Sequence, residues 1–301
     1  MASSHKWFDP QSDPITSVND MLHIVKSLEA QYHRPGNKPP LYFRGVHHDK
    51  YGLLPSVGRE SEFIGMRSGF DIISERDLLH RFRRHAYGEL QGRLNDWGLL
   101  LLARHHHLPV RLLDWTSSPL VALYFAAAFH KKEERSGAAL WAFVGKGPPF
   151  HHLDILLEEQ RNDANTDDYY GCGSELDTDI QKRTKGRHTI EFLQSPLRLK
   201  GVRIVYPFDV SPRIVNQNGV FTIQENPRED LEKLDTRANW DSLMSNDLID
   251  IETIFKWYVP TWARPRIVVE LQRHNIDYRT LFPDLDGIAE GLWHTEVIRQ
   301  N

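Results

Sequence analysis

The chain has 301 residues, 40% of them hydrophobic and 26% charged, which supplies an ordinary packed core and excludes wholesale disorder. A net charge of −4 and a sequence pI near 6.5 exclude a surface built mainly to bind duplex nucleic acid, although a local basic cleft remains compatible with them. The single cysteine, Cys172, excludes an internal disulfide.

The first helix begins after Ser17, with Asp20 three residues on as the partner of a capping box. Met21, Ile24, Val25 and Leu28 then share one face. The segment from Arg34 to Pro40 breaks this helix, Leu41-Tyr42-Phe43 reads as a short buried strand, and Gly45 ends it. A second helix is expected after Ser74, with Leu78, Phe82, Ala86, Leu90 and Leu94 as its stripe. Trp97 to Ala103 is apolar enough for a buried helix. The next helix starts at Pro119 behind a Ser118 cap, and its apolar body belongs in a core. That run, Leu120 to Phe129, is too short to span a bilayer, and the opening MASSHKWFDP has no signal-peptide core, so a cytoplasmic protein without membrane contact is expected.

Ala138 to Val144 reads as a central strand. Residues 158–188 are rich in Asp, Asn, Thr, Gly and Lys without apolar period and read as a surface insertion. Strand patterns return at Val202 to Phe208 and Gly219 to Ile223, and a helix at Pro265 to His274. The expected fold is a single α+β domain over residues 1–301, with a mixed sheet, a central cleft, flanking helices and a helical C-terminal extension over 245–301.

Arg44 follows an apolar strand and precedes a glycine, a place from which a guanidinium can reach into a cleft and grip phosphate or carboxylate. The alternative is a structural pair with an internal carboxylate such as Asp114. Asp114-Trp115-Thr116-Ser117-Ser118-Pro119 leads into a buried helix start, whose free N–H groups attract anions, and Thr116 and Ser117 add hydroxyls. Capping alone explains Ser118. His105, His106 and His107 are adjacent and lack the i, i+4 spacing of metal ligands, so no metal site is expected; His105 reads as a hydrogen-bonding or acid–base residue. Asn216-Gln217-Asn218-Gly219 is turn chemistry ahead of a strand.

Several motifs resemble the FRG family. They are Tyr42-Phe43-Arg44-Gly45 with Leu54-Pro55-Ser56 and Arg59; Leu108-Pro109, Arg111-Leu112-Leu113-Asp114-Trp115-Thr116 and Ser118-Pro119 through Ala126; Arg213-Ile214, Gln217, Gly219 and Phe221-Thr222-Ile223; and Leu281 to Gly287. Around the histidines the family pattern is closer to Gln-His-Tyr-Gly-Leu-Pro-Thr-Arg, so His107 stands where that pattern has glycine and Val110 where it has threonine. The order of Arg44, Thr116-Ser117 and Gln217 is similar in layout to ADP-ribosyltransferases of the Arg-Ser-Glu type.

What this resemblance implies is an NAD-dependent ADP-ribosyltransferase, of the toxin or phage-defence kind, with NAD as substrate and a protein or nucleic acid as acceptor. Arg44, Gly45, Thr116 and Ser117 would hold NAD, while Arg44, His105, Asp114 and Gln217 would form the catalytic set. Gln217 lacks the charge of the glutamate in that layout, and Glu225 or Asp114 would have to compensate. Two other readings are a non-catalytic nucleotide- or nucleic-acid-binding module and a metal-independent nuclease with His105 as general base.

Overall fold

The computed structural model describes residues 13–33, 38–59, 72–88, 96–128, 136–146, 195–199, 201–207, 212–234 and 250–300. The expected insertion at 158–188 and Cys172 lie outside the described residues.

The helices are α1 (Val18–Gln31), α2 (Ile72–His85), α3 (Asp96–His105), α4 (Pro119–Ala127), α5 (Pro212–Asn216), α6 (Leu231–Leu234), α7 (Arg264–Arg273), α8 (Tyr278–Leu281) and α9 (Leu285–Gln300). The strands are β1 (Leu41–Val46), β2 (Leu112–Thr116), β3 (Ala138–Gly145), β4 (Val202–Val205), β5 (Gly219–Gln224) and β6 (Ile251–Val259). The six strands form one sheet in the order β4-β5-β2-β1-β3-β6. The fold is α+β as expected, but every described pairing is antiparallel, so the sheet is not mixed.

Local signals account for the starts of α1 and α4. Ser17 accepts a hydrogen bond from the N–H of Asp20. The Asp20 carboxylate reaches back to Thr16 rather than to Ser17, taking both its N–H and its hydroxyl at 2.8 Å. Burial works against ionising Asp20, and these Thr16 contacts overcome it, holding the carboxyl below the usual range. Ser118 caps α4 at Val121, with Pro119 at the first helical position. For α2 the expectation fails: the helix already runs from Ile72, so Ser74 lies inside it, and it ends at His85. Its buried side carries Glu75 and Leu79.

β1 sets the two faces of the sheet. Leu41 and Phe43 join a core shared by α1, α4 and α7. Tyr42 and Val46 face the other way, into a cluster with Trp115, Trp141, Phe143 and Ile204. On the first face, α2 and α3 cover Leu112, Val205, Phe221 and Ile223 of the β2-β5-β4 half. The sheet curls until its edge strands meet at Asp250. The Asp250 N–H donates to the Val202 carbonyl at 3.0 Å, and its carboxylate accepts from Arg203 at 3.0 Å and from the Ile204 N–H at 2.9 Å.

Two sequence expectations are corrected here. Gly45 does not end the strand; β1 continues to Val46. A Cβ on Gly45 would lie 1.8 Å from the Ala122 carbonyl oxygen and 2.5 Å from the Ala126 nitrogen, so the glycine lets the α4 backbone rest directly on β1. The C-terminal part is not wholly helical either. Ile251–Val259 is an edge strand paired along β3, and the helices α7, α8 and α9 follow it.

Candidate functional site: an arginine cluster around one carboxylate

The connection from α3 to β2 brings the polar residues together. Leu99, Leu100, Leu101 and Ala103 bury α3 in the core. Its C-terminus closes with the His107 N–H on the Arg104 carbonyl at 3.1 Å and the Leu108 N–H on the Ala103 carbonyl at 2.9 Å. That paired pattern puts the intervening residue in the left-handed region, and His107 has φ 61°. The chain then passes Val110, whose N–H and carbonyl both bond the Ser56 hydroxyl, at 3.1 and 3.2 Å.

Arg111 anchors the start of β2. Its Nε donates to Glu75 Oε2 at 2.8 Å, its Nη2 to the same oxygen at 2.6 Å, and its N–H to Glu75 Oε1 at 2.8 Å. Both side chains are fully buried. Such a pair fixes geometry, because stranding either partner leaves an uncompensated charge in the core.

With those anchors, Asp114 becomes the centre of a cationic cluster. Arg104 grips its carboxylate with two nitrogens, Nε on Oδ1 at 2.9 Å and Nη2 on Oδ2. Arg44 Nη1 donates to the Asp114 backbone carbonyl at 2.6 Å and lies 3.6 Å from Oδ2. Arg59 donates through Nε to the Leu54 carbonyl at 3.0 Å; its charge acts on Arg44, and the Arg104 charge acts on it. Two guanidinium groups therefore meet one carboxylate, and the charge of a third, Arg59, is felt within the same cluster.

The electrostatics follow from that imbalance. Burial first, then the neighbouring Arg59 and Arg104 charges, lower the Arg44 guanidinium to about 10 against the pull of Asp114, which still leaves it cationic at neutral pH. Burial and the Arg104 charge lower Arg59. Arg104 moves the other way, raised by Asp114 against its own desolvation. Burial opposes ionisation of Asp114, but Arg104 and then Arg44 hold it below the ordinary carboxylate range. The Asp114 side chain keeps 40% of its surface exposed, so the cluster is open to solvent. Arg44 is 13% exposed, and its buried Nε has no hydrogen-bond partner among the described residues.

The expected site residues divide into two groups. Arg44 and Asp114 are together, and Arg44 lies inside β1 opposite Trp141 rather than at the strand's end. Ser117 is exposed at the head of α4, its N–H donating to the Asn218 carbonyl at 3.1 Å. Thr116, expected to bind cofactor, is instead 4% exposed; its hydroxyl donates to the Gln217 carbonyl at 2.6 Å and accepts from the Ser118 N–H at 3.0 Å. Gln217, expected near a ribose, donates its amide nitrogen to the Leu281 carbonyl at 3.1 Å and so ties α8 to the turn before β5. Gly45 has the side that a Cβ would occupy filled by α4.

His105 lies at the end of α3, edge-on to His106 with ring centroids 5.1 Å apart. Desolvation, then the His106 and Arg213 charges, lower its pKa. Arg213 pairs with Asp284 at 3.0 Å and stacks over Phe282 at 4.7 Å. Among the described residues no group of three or more His, Cys, Asp or Glu is arranged to hold a metal ion, and no helix is long and apolar enough to cross a membrane.

Sequence reasoning passed over Arg104 and Arg59 as site residues. A signal for Arg104 was present: a cation in the last turn of an otherwise apolar helix. No curated protein and no solved structure matches the chain. The FRG domain model matches residues 39–135, a span containing Arg44, Arg59, Arg104 and Asp114. The chain carries an FRG domain over residues 39–135, and the arginine cluster is built within it.

Proposed function

We propose that the domain binds a phosphate-bearing nucleotide at Arg44, Arg59 and Arg104, with NAD as the first ligand to test. The observation that carries this reading is the ratio of three guanidinium groups to one partly exposed carboxylate. Gathering like charges is unfavourable, and an incoming dianion relieves it. Guanidinium forks suit phosphate oxygens in particular, because they present paired donors in a plane. Arg44 and Arg59 are each fixed on a backbone carbonyl, so their positions do not depend on a ligand.

ADP-ribosyl transfer is a further step on this reading. It draws support from Arg44 on β1 and from Ser117, exposed before α4. The engaged groups of Thr116 and Gln217 do not add to it. Binding therefore stands ahead of transfer, and a toxin or phage-defence role, with protein or nucleic acid as acceptor, belongs to the transfer reading.

One experiment separates the two. The protein is incubated with NAD and cell extract, nicotinamide release is followed by chromatography, and NAD binding is measured in parallel. Binding without release identifies a binding module. Release that is lost in Arg44→Ala identifies an NAD-consuming enzyme. Absence of both removes NAD as the ligand.

A further inference from the structure

Resting on the phosphate-binding reading, we propose that Asp114 is a resident counter-anion that an incoming phosphate or pyrophosphate displaces from Arg104. The three arginines are held differently. Arg44 donates to the Asp114 main-chain oxygen at 2.6 Å, with the carboxylate farther off at 3.6 Å, and Arg59 donates to the main-chain oxygen of Leu54, so each has a backbone anchor that a ligand leaves in place. Both hydrogen bonds described for the Arg104 side chain end on the Asp114 carboxylate.

Arg104 is thus the member whose donors a ligand can take over. The carboxylate presents two oxygens to one fork, as a phosphate presents two of its non-bridging oxygens. With 40% of its side-chain surface exposed, Asp114 can turn toward water when Arg104 changes partner.

The exchange sets a charge requirement. With Asp114 in place, a monoanion replaces one charge by another and gains little. A dianion answers the two positive charges that Asp114 leaves unmatched. Asp114 therefore lowers affinity for every anion and selects for those of higher charge, which makes it a specificity determinant of this site.

The test uses the full chain and inorganic pyrophosphate, titrated by calorimetry into the parent, Asp114→Asn and Asp114→Ser at one ionic strength, with folding checked by circular dichroism. Removing the competing charge should tighten pyrophosphate binding by about tenfold or more in either folded variant. Acetate, undetectable with the parent, should become measurable. Unchanged or weaker binding in the variants, with the parent still binding, overturns the counter-anion role and makes Asp114 a positioning residue of an intact site. Failure of both variants to fold overturns it in favour of a structural role. No binding by parent or variants overturns this proposal together with the phosphate site on which it rests.

Discussion

The Arg44 guanidinium bonds the Asp114 backbone carbonyl at 2.6 Å, while the Asp114 carboxylate is gripped by Arg104. A pair that reads from the sequence as one salt bridge is therefore two contacts. One holds Arg44 through the main chain, and the other parks a removable charge on Arg104. This division leaves Arg44 its backbone anchor when the carboxylate, 3.6 Å from it, changes partner.

The glycine of the Phe43-Arg44-Gly45 tripeptide should be intolerant of any side chain. Gly45→Ala forces a Cβ against the α4 backbone at 1.8 Å, and neither α4 nor β1 can yield without disturbing the core. The variant should lose about 1–3 kcal/mol or more in urea unfolding, as overpacked sites do. A parent-like unfolding midpoint would show that α4 does not rest on β1 as described.

The buried Glu75–Arg111 pair predicts a non-additive result. Glu75→Ala should cost about 3–5 kcal/mol because it strands a fully buried guanidinium. Glu75→Ala combined with Arg111→Met should recover a good part of that loss. Equal or additive losses in the double variant would mean that the two charges do not depend on one another.

His107 sits at φ 61°, where a side chain is strained and glycine is not. His107→Gly should stabilise the fold by about 1 kcal/mol, and His107→Val should destabilise it. Thermal unfolding of the three proteins decides the point, and a destabilised His107→Gly would show that the histidine ring contributes more than its backbone costs.

The Asp114 carboxyl is lowered in the folded protein, by Arg104 and then Arg44 against burial, and this fixes a sign with pH. Its stabilising contribution is complete above the unfolded value near about 4 and is lost as pH falls through the lower folded value. The difference in urea midpoint between the parent and Asp114→Asn should therefore be constant from neutral pH to about pH 5, then shrink on further acidification. A difference that grows in acid would mean that Asp114 is not held by the arginines.

Elements with local signals were legible in the sequence. Ser17 and Ser118 mark the starts of α1 and α4, and apolar runs mark α3 and β3. Elements set by tertiary contact were not. Ile251–Val259 shows no period of two because its first part, Ile251 and Ile254, packs into one cluster and its last part, Trp257 and Val259, into the other. Gly45 reads as a strand end because a close approach by a distant helix leaves no trace in neighbouring residues. At the site, Arg44 and Asp114 were legible from their motifs. Thr116 looked like a free hydroxyl, since the Gln217 carbonyl it donates to appears only once β2 and β5 are paired. Arg59 joins the cluster through the placement of the segment that follows β1, which spacing does not encode, and Arg104 through the last turn of α3.

The central claim is that Arg44 belongs to a phosphate-binding site. The most direct measurement is a calorimetric titration of NAD into the parent and into Arg44→Lys at matched ionic strength, with the melting temperature of each recorded. Lysine keeps the charge and can still donate to the Asp114 carbonyl, but it cannot offer a planar fork. The account predicts a variant that melts within a few degrees of the parent and binds NAD about tenfold more weakly or worse. Equal affinity in parent and variant, or no NAD binding by the parent, would contradict it.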